Sequence, residues 1–294
     1  MNDMIGKIEP LGTSTGKILY SSSHCQNILD LSVAETIEIF KSSGVILFRG
    51  FGVTPKQMKE FSEQFSGKHI IDFTKVSIDS DKFVNFVDGG MDGLIPHCEN
   101  SCFPFRPDVI WFCCTVPAEQ EGETLFWDGV RVWEELSQES KQLFISKQLK
   151  FSYKNIPVDI LKGIIGLDAN TIDDLKQKLD SLDGISYQFN DDKTVSIEYT
   201  CSSVVNNKYN HQNAFANHFW VYQKKTEEAI FEDGSRASDE VADEIEIIFD
   251  KLTEKIPWEA GDLVMMDNSR FLHGRGAFND KRRQIFTTLS NLKF

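Results

Sequence analysis

The segment from residue 95 to residue 101 reads Ile-Pro-His-Cys-Glu-Asn-Ser and places a histidine and a glutamate two positions apart. The preceding proline favours an extended backbone, in which alternate side chains project to the same side. His97 and Glu99 would then face one site, and Cys98 would point away from it. An imidazole and a carboxylate at this spacing could be two ligands of one metal ion, although the same pair is also common on a solvated strand.

A third ligand has to come from elsewhere in the chain. The other histidines are His24, His69, His211, His218 and His273. Only His273 has a persuasive context, a predicted strand between a turn and a polar loop, and Arg283 follows it ten residues later. Two imidazoles and one carboxylate on one face of a metal are typical of the facial triad of non-heme Fe(II) oxygenases. A nearby arginine can hold the far carboxylate of 2-oxoglutarate through paired, charge-assisted hydrogen bonds.

Other classes of site remain open at this point. A His/Glu/His set can hold Zn(II) for hydrolysis, with water as the fourth ligand. A non-catalytic sensor could also bind a small molecule there without turnover. The arginine after the distal histidine favours the oxygenase, because a hydrolase needs no anchor for a dicarboxylate. A zinc–thiolate site is disfavoured, because the spacing of Cys98, Cys102, Cys113 and Cys114 does not match the usual ligand patterns.

Helices are predicted from capping signals and from apolar residues at helical spacing. Ser32 and Thr54 each open a capping box, and the first of these helices should end near Gly44. Apolar stripes predict further helices at residues 172–182 and from Ser238 to a point before Pro257. Helices therefore precede the candidate ligands and separate them along the chain.

Short apolar or alternating runs predict strands on both sides of the candidate ligands. They lie at residues 45–48, 109–115, 124–127, 263–266 and 284–292. Residues 150–210 instead predict a helix and a hairpin that turns at 190–192, and no linker-like composition flanks them. We therefore predict one α+β domain over residues 1–294, with a barrel or jelly-roll centre and an insertion at 150–210.

Composition and net charge restrict the kinds of binding partner that the protein can have. Hydrophobic residues make up 40% of the 294 residues and charged residues 26%, as in globular proteins. The net charge of −14 argues against nucleic acid or an anionic membrane as the main partner. The sequence shows neither a signal-peptide pattern nor an apolar run of about 18 residues, so we predict a cytoplasmic protein with reduced cysteines.

Five segments occur in an order that carries a family resemblance. They are GVILFRGF (44–51), HCENS (97–101), GETL (122–125), WEAGD (258–262) and DNSRFLHGR (267–275). From about Gly44 to the C-terminus, the chain resembles the taurine dioxygenase/clavaminate synthase group of Fe(II)- and 2-oxoglutarate-dependent oxygenases. The resemblance implies a double-stranded β-helix, or jelly-roll, core with flanking helices, and a reaction that uses Fe(II), 2-oxoglutarate and O2.

The resemblance also implies roles for individual residues. His97, Glu99 and His273 correspond to the iron ligands, and Thr124 and Arg283 to the groups that receive the distal carboxylate of 2-oxoglutarate. The carboxylate ligand in this family is often aspartate, and glutamate is a minority form. A bound carboxylate also disfavours halogenation, which needs a vacant position for chloride.

Strand alternation helps to choose between two neighbouring arginines. Arg283, Ile285 and Thr287 share one face of the predicted strand, and Arg282 lies on the other, unless a bulge reverses the order. Many relatives carry a second arginine about four residues after the first, where this chain has Thr287. Taurine is therefore disfavoured as the substrate.

The sequence restricts the substrate less than the cosubstrate. Candidate substrate contacts are Asn100, Ser101, Arg106, Asn217 and Arg275, each of which could instead be an ordinary loop polar group. We expect hydroxylation of an unactivated C–H bond in a small amino-acid-like molecule of specialised metabolism, although desaturation or ring closure would follow from a different placement. The acidic net charge favours a free substrate over one tethered to a carrier protein, and residues 150–210 are a candidate lid.

Overall fold

The structure is a computed structural model that describes residues 6–72, 75–87, 90–165 and 171–294. The strands are β1 (Lys7–Pro10), β2 (Lys17–Tyr20), β3 (Val45–Arg49), β4 (Ser66–Ile70), β5 (Val76–Ser77), β6 (Asn85–Phe86), β7 (Leu94–His97), β8 (Val109–Val116), β9 (Thr124–Asp128), β10 (Gln148–Pro157), β11 (Ile185–Phe189), β12 (Thr194–Ser202), β13 (Val205–Asn206), β14 (Asn213–Ala214), β15 (Glu254–Ile256), β16 (Leu263–Asp267), β17 (Phe271–Arg275) and β18 (Gln284–Leu292). The α-helices are α1 (Val33–Ser43), α2 (Pro55–Glu63), α3 (Gly129–Glu135), α4 (Gln138–Ser146), α5 (Val158–Ile165), α6 (Ile172–Asp180), α7 (Phe219–Lys225) and α8 (Asp239–Leu252), and a short 3-10 helix covers Ile28–Asp30. The chain is thus a mixture of helices and strands, as predicted.

Two sheets form the centre of the molecule. The larger has the order β1-β2-β3-β16-β8-β18-β6-β5, with β4 also paired to β18, and the smaller has the order β15-β9-β17-β7. Among the described strands of these sheets, β2 and β3 run parallel, and the other pairs are antiparallel. The predicted strands near residues 45, 109, 124, 263 and 284 are all confirmed.

The two sheets face each other across one apolar cluster. Leu47, Phe112 and Val264 project into it from the larger sheet, and Phe126 and Phe271 from the smaller one. The alternate residues of β8, such as Trp111, enter a second cluster on the far side of the larger sheet. Strand β8 is therefore buried on both faces, which explains its continuous apolar sequence.

Helices cover the outer faces of both sheets. Phe40 from α1 and Phe61 from α2 pack in the cluster behind the larger sheet, whereas Phe219 from α7 and Phe249 from α8 pack behind the smaller one. Local sequence sets the helix bounds as predicted: Ser32 caps α1, Thr54 and Gln57 form a reciprocal capping box on α2, and Gly44 ends α1 with φ of 71°.

A separate three-stranded sheet of order β10-β12-β11 lies within residues 148–202. Strands β11 and β12 form the predicted hairpin, and Leu175 and Leu179 of α6 are buried as predicted in a cluster with Val195 and Ile197. Ile172, predicted on the same stripe, is half-exposed because it lies at the first turn of the helix. The predicted insertion also includes residues 166–170, which lie outside the described residues.

None of the described helices combines the length and the apolar composition needed to cross a membrane.

Candidate active site

The pairing of β7 with β17 places two histidines side by side. His97 is the register partner of His273, and the centroids of their rings are 4.3 Å apart. Strand β7 ends at His97, so Glu99 lies in the following turn, where Asn100 adopts φ of 52°. The extended backbone expected through Glu99 therefore stops early. The carboxylate still reaches the histidines, with Oε2 of Glu99 3.5 Å from Nε2 of His273, while Cys98 is buried in the opposite direction.

These three side chains form a compact set of metal donors. One ligand atom from each of His97, Glu99 and His273 lies within 4.8 Å of the other two. Two imidazole nitrogens and a carboxylate oxygen suit Fe(II). Nδ1 of His273 is buried and has no hydrogen-bond partner among the described residues, which is uncommon for a buried polar atom outside a binding site. The residues present therefore fit an Fe(II) ion.

The protonation states also suit metal binding. Burial, together with the neighbouring His273, lowers the pKa of His97 to about 3, so its ring is neutral near neutral pH. Nδ1 of His97 lies 2.9 Å from the carbonyl oxygen of Ile95 and donates to it, which leaves the lone pair on Nε2. Burial acts to raise the pKa of Glu99, but Lys75 and His273 hold it well below its usual range.

The backbone of Glu99 is fixed by a residue that the sequence analysis did not single out. The side chain of Asn268, which is fully buried, accepts a hydrogen bond from the Glu99 N–H at 2.9 Å and donates to the Glu99 carbonyl at 2.9 Å. It also donates to the carbonyl of Pro107 at 3.0 Å. Asn268 lies within the same polar segment as His273, which was a signal, but its partners are too distant in sequence for a local pattern to reveal them.

The triad shares its pocket with the two predicted cosubstrate residues, Thr124 and Arg283. The hydroxyl oxygen of Thr124 accepts a hydrogen bond from Nε1 of Trp258 at 3.1 Å, so the hydroxyl proton is available to another acceptor. Thr124 is only 4% exposed, and it faces a cavity rather than bulk solvent.

Arg283 is held as a buried cation at the same end of the pocket. It is 6% exposed, its Nε donates to the carbonyl of Gly122 at 2.9 Å, and its guanidinium lies 5.0 Å from the ring centroid of Phe278. Its two terminal nitrogens form no hydrogen bond to another described residue. Burial, with the like charge of Arg275, lowers the pKa of Arg283 to about 10. A buried cation with free donors is suited to bind an anion.

The side chain of Arg282 points away from the pocket. It is exposed and forms ion pairs with Asp280, at 2.9 Å, and with Glu119. The pairing of β18 with β8 does contain an irregularity between Gln284 and Ile285, but this irregularity leaves Arg283, and not Arg282, on the pocket side. Thr287, four residues after Arg283, is fully buried.

Arg275 is the one predicted substrate contact found among the residues that line this pocket. Its Nη2 donates to the carbonyl of Asp92 at 2.7 Å, and its guanidinium lies 5.0 Å from the ring centroid of Phe278, as that of Arg283 does. Asn100 occupies the left-handed position of the turn after Glu99.

The remaining predicted contacts bind backbone groups. Ser101 donates to the carbonyl of Cys98 at 3.0 Å. Arg106 donates to the carbonyls of Ala216 and Asn268. Asn217 donates to the carbonyl of Ser203 at 2.6 Å and accepts from the N–H of Phe219 at 2.9 Å, at the start of α7. These bonds stabilise the loops around the triad, and a contact of these residues with substrate stays a prediction.

Two further residues near the triad were not predicted. His218, interpreted from the sequence as a non-ligand, lies with its ring centroid 5.9 Å from that of His97, and burial lowers its pKa. Lys75 places its Nζ 3.3 Å from Oε1 of Glu99. Lys75 lies in an irregular segment before β5, where no periodic pattern could have indicated its orientation.

The chain matches a known protein family over most of its length. The family model described as taurine catabolism dioxygenase TauD, TfdA family, matches residues 7–289. The chain belongs to this family. A search of curated proteins gives no match to the chain.

Solved structures share the fold of this TauD/TfdA member at low sequence identity. A taurine dioxygenase from Burkholderia xenovorans is 15% identical over 98% of this chain and 90% of its own, with a TM-score of 0.63. AAD-2, solved in complex with Mn(II) and N-oxalylglycine, is 13% identical over 98% of each chain, with a TM-score of 0.63. PvcB from Pseudomonas aeruginosa is 12% identical over 97% of this chain and 91% of its own, with a TM-score of 0.62.

Membership of the TauD/TfdA family makes the protein a 2-oxoglutarate-dependent non-heme iron dioxygenase, which uses Fe(II), 2-oxoglutarate and O2. The oxygenase interpretation of the sequence is therefore confirmed, and the Zn(II) hydrolase and the non-catalytic sensor are set aside.

Proposed function

We propose that this dioxygenase hydroxylates an unactivated C–H bond of a small, free, amino-acid-like substrate in specialised metabolism. The observation that carries the proposal is the cluster of His97, Glu99 and His273, with donor atoms within 4.8 Å of one another, in one pocket with Arg283. A metal site beside a buried guanidinium suits a cosubstrate that has one chelating end and one anionic end.

In this proposal His97, Glu99 and His273 hold Fe(II). When bound, Fe(II) supplies the chemistry that couples reduction of O2 to oxidative decarboxylation of 2-oxoglutarate and to oxidation of the substrate. One oxygen atom of O2 enters the substrate as a hydroxyl group and the other enters succinate, with release of carbon dioxide. The protein keeps His97 neutral and Glu99 ionised, so that these two donors are ready for a cation.

Arg283 and Thr124 receive the distal carboxylate of 2-oxoglutarate. Arg283 contributes its terminal N–H groups and a positive charge, and Thr124 contributes its hydroxyl proton. Hydrogen bonds to a charged group contribute about 1.5–3 kcal/mol each, and more rigid anchoring limits the loss of side-chain freedom. The stacking of Arg283 on Phe278 and its bond to Gly122 support such anchoring.

We extend the proposal to the architecture. The two facing sheets correspond to the predicted jelly-roll core of a single domain over residues 1–294, and residues 150–210 form an insertion that acts as a lid. The separate apolar cluster of Leu161, Leu175, Leu179, Val195 and Ile197 supports a unit with its own packing. Placement of the substrate under this lid would decide between hydroxylation and desaturation or ring closure.

Three observations bear on the proposed substrate. Structural neighbours include a taurine dioxygenase, whose named substrate is a free small molecule. Thr287, rather than arginine, occupies the position of the second family arginine, which disfavours taurine itself. The net charge of −14 disfavours docking of an acidic carrier protein, so the substrate is proposed to be free.

The test is anaerobic addition of Fe(II) and then 2-oxoglutarate to the metal-free protein. We expect a visible charge-transfer band that requires both additions, followed in air by release of succinate that depends on one member of a panel of amino acids. Metal binding without a band would contradict the proposed cosubstrate site. A band with no amino acid raising succinate release above its uncoupled level would contradict the substrate class alone.

A further inference from the structure

Lys75 forms ion pairs with Glu99 of the candidate metal site and with the buried Asp72. Its Nζ lies 3.3 Å from Oε1 of Glu99 and 2.8 Å from Oδ2 of Asp72. The side chain of Lys75 is 19% exposed and that of Asp72 is 3% exposed. Asp72 is therefore a second and more deeply buried partner of the ammonium group.

The two oxygens of the Glu99 carboxylate therefore have different neighbours. Oε1 faces Lys75, and Oε2 lies 3.5 Å from Nε2 of His273. Hydrogen bonds from outside a metal site commonly orient the ligands and select the atom that binds the metal. Here Lys75 contacts Oε1, and Oε2 is the oxygen that lies near His273.

A glutamate ligand needs such support more than an aspartate ligand does. Its side chain has one more rotatable bond, and fixing a side chain on folding or binding costs free energy. Asn268 fixes the backbone of Glu99 through its N–H and its carbonyl, but it does not contact the carboxylate. Lys75 supplies the contact at the far end of the side chain.

The contact between Lys75 and Oε1 of Glu99 affects how many coordination positions of the metal remain open. A triad with one donor atom per residue leaves three positions open for a bidentate cosubstrate and for oxygen. A glutamate bound through both oxygens would take one of those three. Engagement of Oε1 by Lys75 disfavours that second bond.

We propose that Lys75 is a positioning residue that holds Oε1 of Glu99, so that Glu99 binds the metal through Oε2 alone. The proposal rests on the proposed metal site of His97, Glu99 and His273. The proposal also predicts whether removal of Lys75 strengthens or weakens metal binding. A lysine that acted only through its charge would repel a divalent ion, and its removal would tighten metal binding. A lysine that positions the ligand has the opposite effect, and its removal weakens metal binding.

The experiment measures affinity for Mn(II) alone, from the electron paramagnetic resonance signal of the free ion, on the full chain without cosubstrate. We expect Lys75→Met to weaken binding by about 10- to 100-fold, the range found for residues that orient metal ligands. Lys75→Arg should restore most of the affinity, because it keeps a donor and a charge. The matched control is Lys59→Met, since Lys59 also bridges two carboxylates, those of Asp79 and Asp81, with its side chain 20% exposed.

A double-mutant cycle separates positioning from a general structural effect. Glu99→Asp shortens the ligand and removes its contact with Lys75, so Lys75→Met should change Mn(II) affinity by no more than about twofold in that background. The double variant Asp72→Asn, Lys75→Met removes both charges of the Asp72–Lys75 ion pair together and should show the same weakening as Lys75→Met. Thermal unfolding of each metal-free variant checks that the fold is retained.

Unchanged or tighter Mn(II) binding by Lys75→Met would overturn the proposal, and so would an equal loss in the Glu99→Asp background. Failure of the metal site itself has a different signature. If His273→Ala bound Mn(II) as well as the unaltered protein does, the proposed site would be wrong and the positioning role with it. If His273→Ala lost binding and Lys75→Met kept it, the positioning role alone would be wrong.

Discussion

The two ends of the pocket are built in different ways. At the proposed metal end, strand pairing fixes His97 opposite His273, and the backbone of Glu99 is hydrogen-bonded to Asn268. At the proposed anion end, Thr124 accepts a hydrogen bond from Trp258, and Arg283 is fixed by the carbonyl of Gly122 and by its contact with the ring of Phe278. Backbone pairing and backbone hydrogen bonds therefore position the residues of the metal end, whereas side-chain contacts position those of the anion end.

This difference determines how each end should respond to change. Three donors must converge within a few ångströms to bind one ion, so loss of any one donor removes much of the function. At the anion end each contact adds to the binding of a carboxylate, so losses should be graded. The expected effects therefore fall from the ligands, to the anion anchor, to the residues that support them.

The largest effect is expected from loss of a ligand. His273→Ala should lower affinity for Fe(II) or Mn(II) by more than the roughly 100-fold upper range seen for orienting residues, and turnover should fall below detection. Isothermal titration of the metal-free protein with Mn(II) measures this. The matched control is His218→Gln, which changes a partly buried imidazole outside the triad whose ring centroid lies 5.9 Å from that of His97.

His218→Gln should retain metal affinity within about threefold, as expected for a residue that is not a ligand. Equal losses in the two variants would show that the site tolerates no change at all, and the assignment of His273 as a ligand would lose its support.

The second effect tests the anion end. Arg283→Met should raise the KM for 2-oxoglutarate by about 10- to 100-fold, which corresponds to the loss of one hydrogen bond to a charged group, worth about 1.5–3 kcal/mol. Metal affinity should be unchanged. Arg282→Met is the control: Arg282 is exposed and forms ion pairs with Glu119 and Asp280 outside the pocket, so the KM of this variant should stay within about twofold of that of the unaltered protein.

A metal-binding defect in Arg283→Met would break the distinction between the two ends. A larger change of KM in Arg282→Met than in Arg283→Met would reverse the orientation of the two arginines on which the anion site depends.

The third effect concerns the backbone support of the metal end. Asn268→Ala removes three hydrogen bonds from a fully buried side chain and leaves the N–H of Glu99 without its acceptor. We expect metal affinity to fall by about tenfold and the metal-free protein to unfold at a lower temperature, measured by calorimetry. If stability fell and metal affinity did not, Asn268 would support the loop without positioning Glu99.

Much of this arrangement follows from local sequence. The continuous apolar run of β8 and the capping of α1 and α2 were recognisable because their signals lie within a few residues of one another. The candidate triad and Arg283 were recognisable because their residue types and order are characteristic of a family. Strand alternation also predicted which of two arginines faces the pocket.

The supporting residues could not be predicted in the same way. Asn268 contacts Glu99 across 169 positions of sequence, and Lys75 reaches Glu99 from an irregular segment. Such contacts depend on how the sheets pack, which no short pattern encodes. Conversely, Arg106 and Asn217 attracted attention because they are polar and near the motif, and in the structure they bind backbone carbonyls.

The smallest effect expected is a pH dependence that also differs between the two ends. Burial lowers the pKa of His97 to about 3 in the folded, metal-free protein, whereas an unfolded histidine has a pKa of about 6.5. As pH falls below about 6.5 the unfolded state gains this proton and the folded state does not, so stability present above that pH is lost, by at most about 1.4 kcal/mol per pH unit. His97→Gln should remove this contribution.

Urea unfolding of the metal-free protein at pH 7.5 and pH 5.5 measures the difference. The free energy of unfolding should fall by about 1 kcal/mol more in the unaltered protein than in His97→Gln. Arg283→Met is the control from the anion end, because a guanidinium with a pKa of about 10 stays charged at both pH values and its removal should leave the slope unchanged. Parallel slopes in all three proteins would mean that the ring of His97 is not held neutral by burial, and the metal end would then lack a donor that is ready for a cation without first losing a proton.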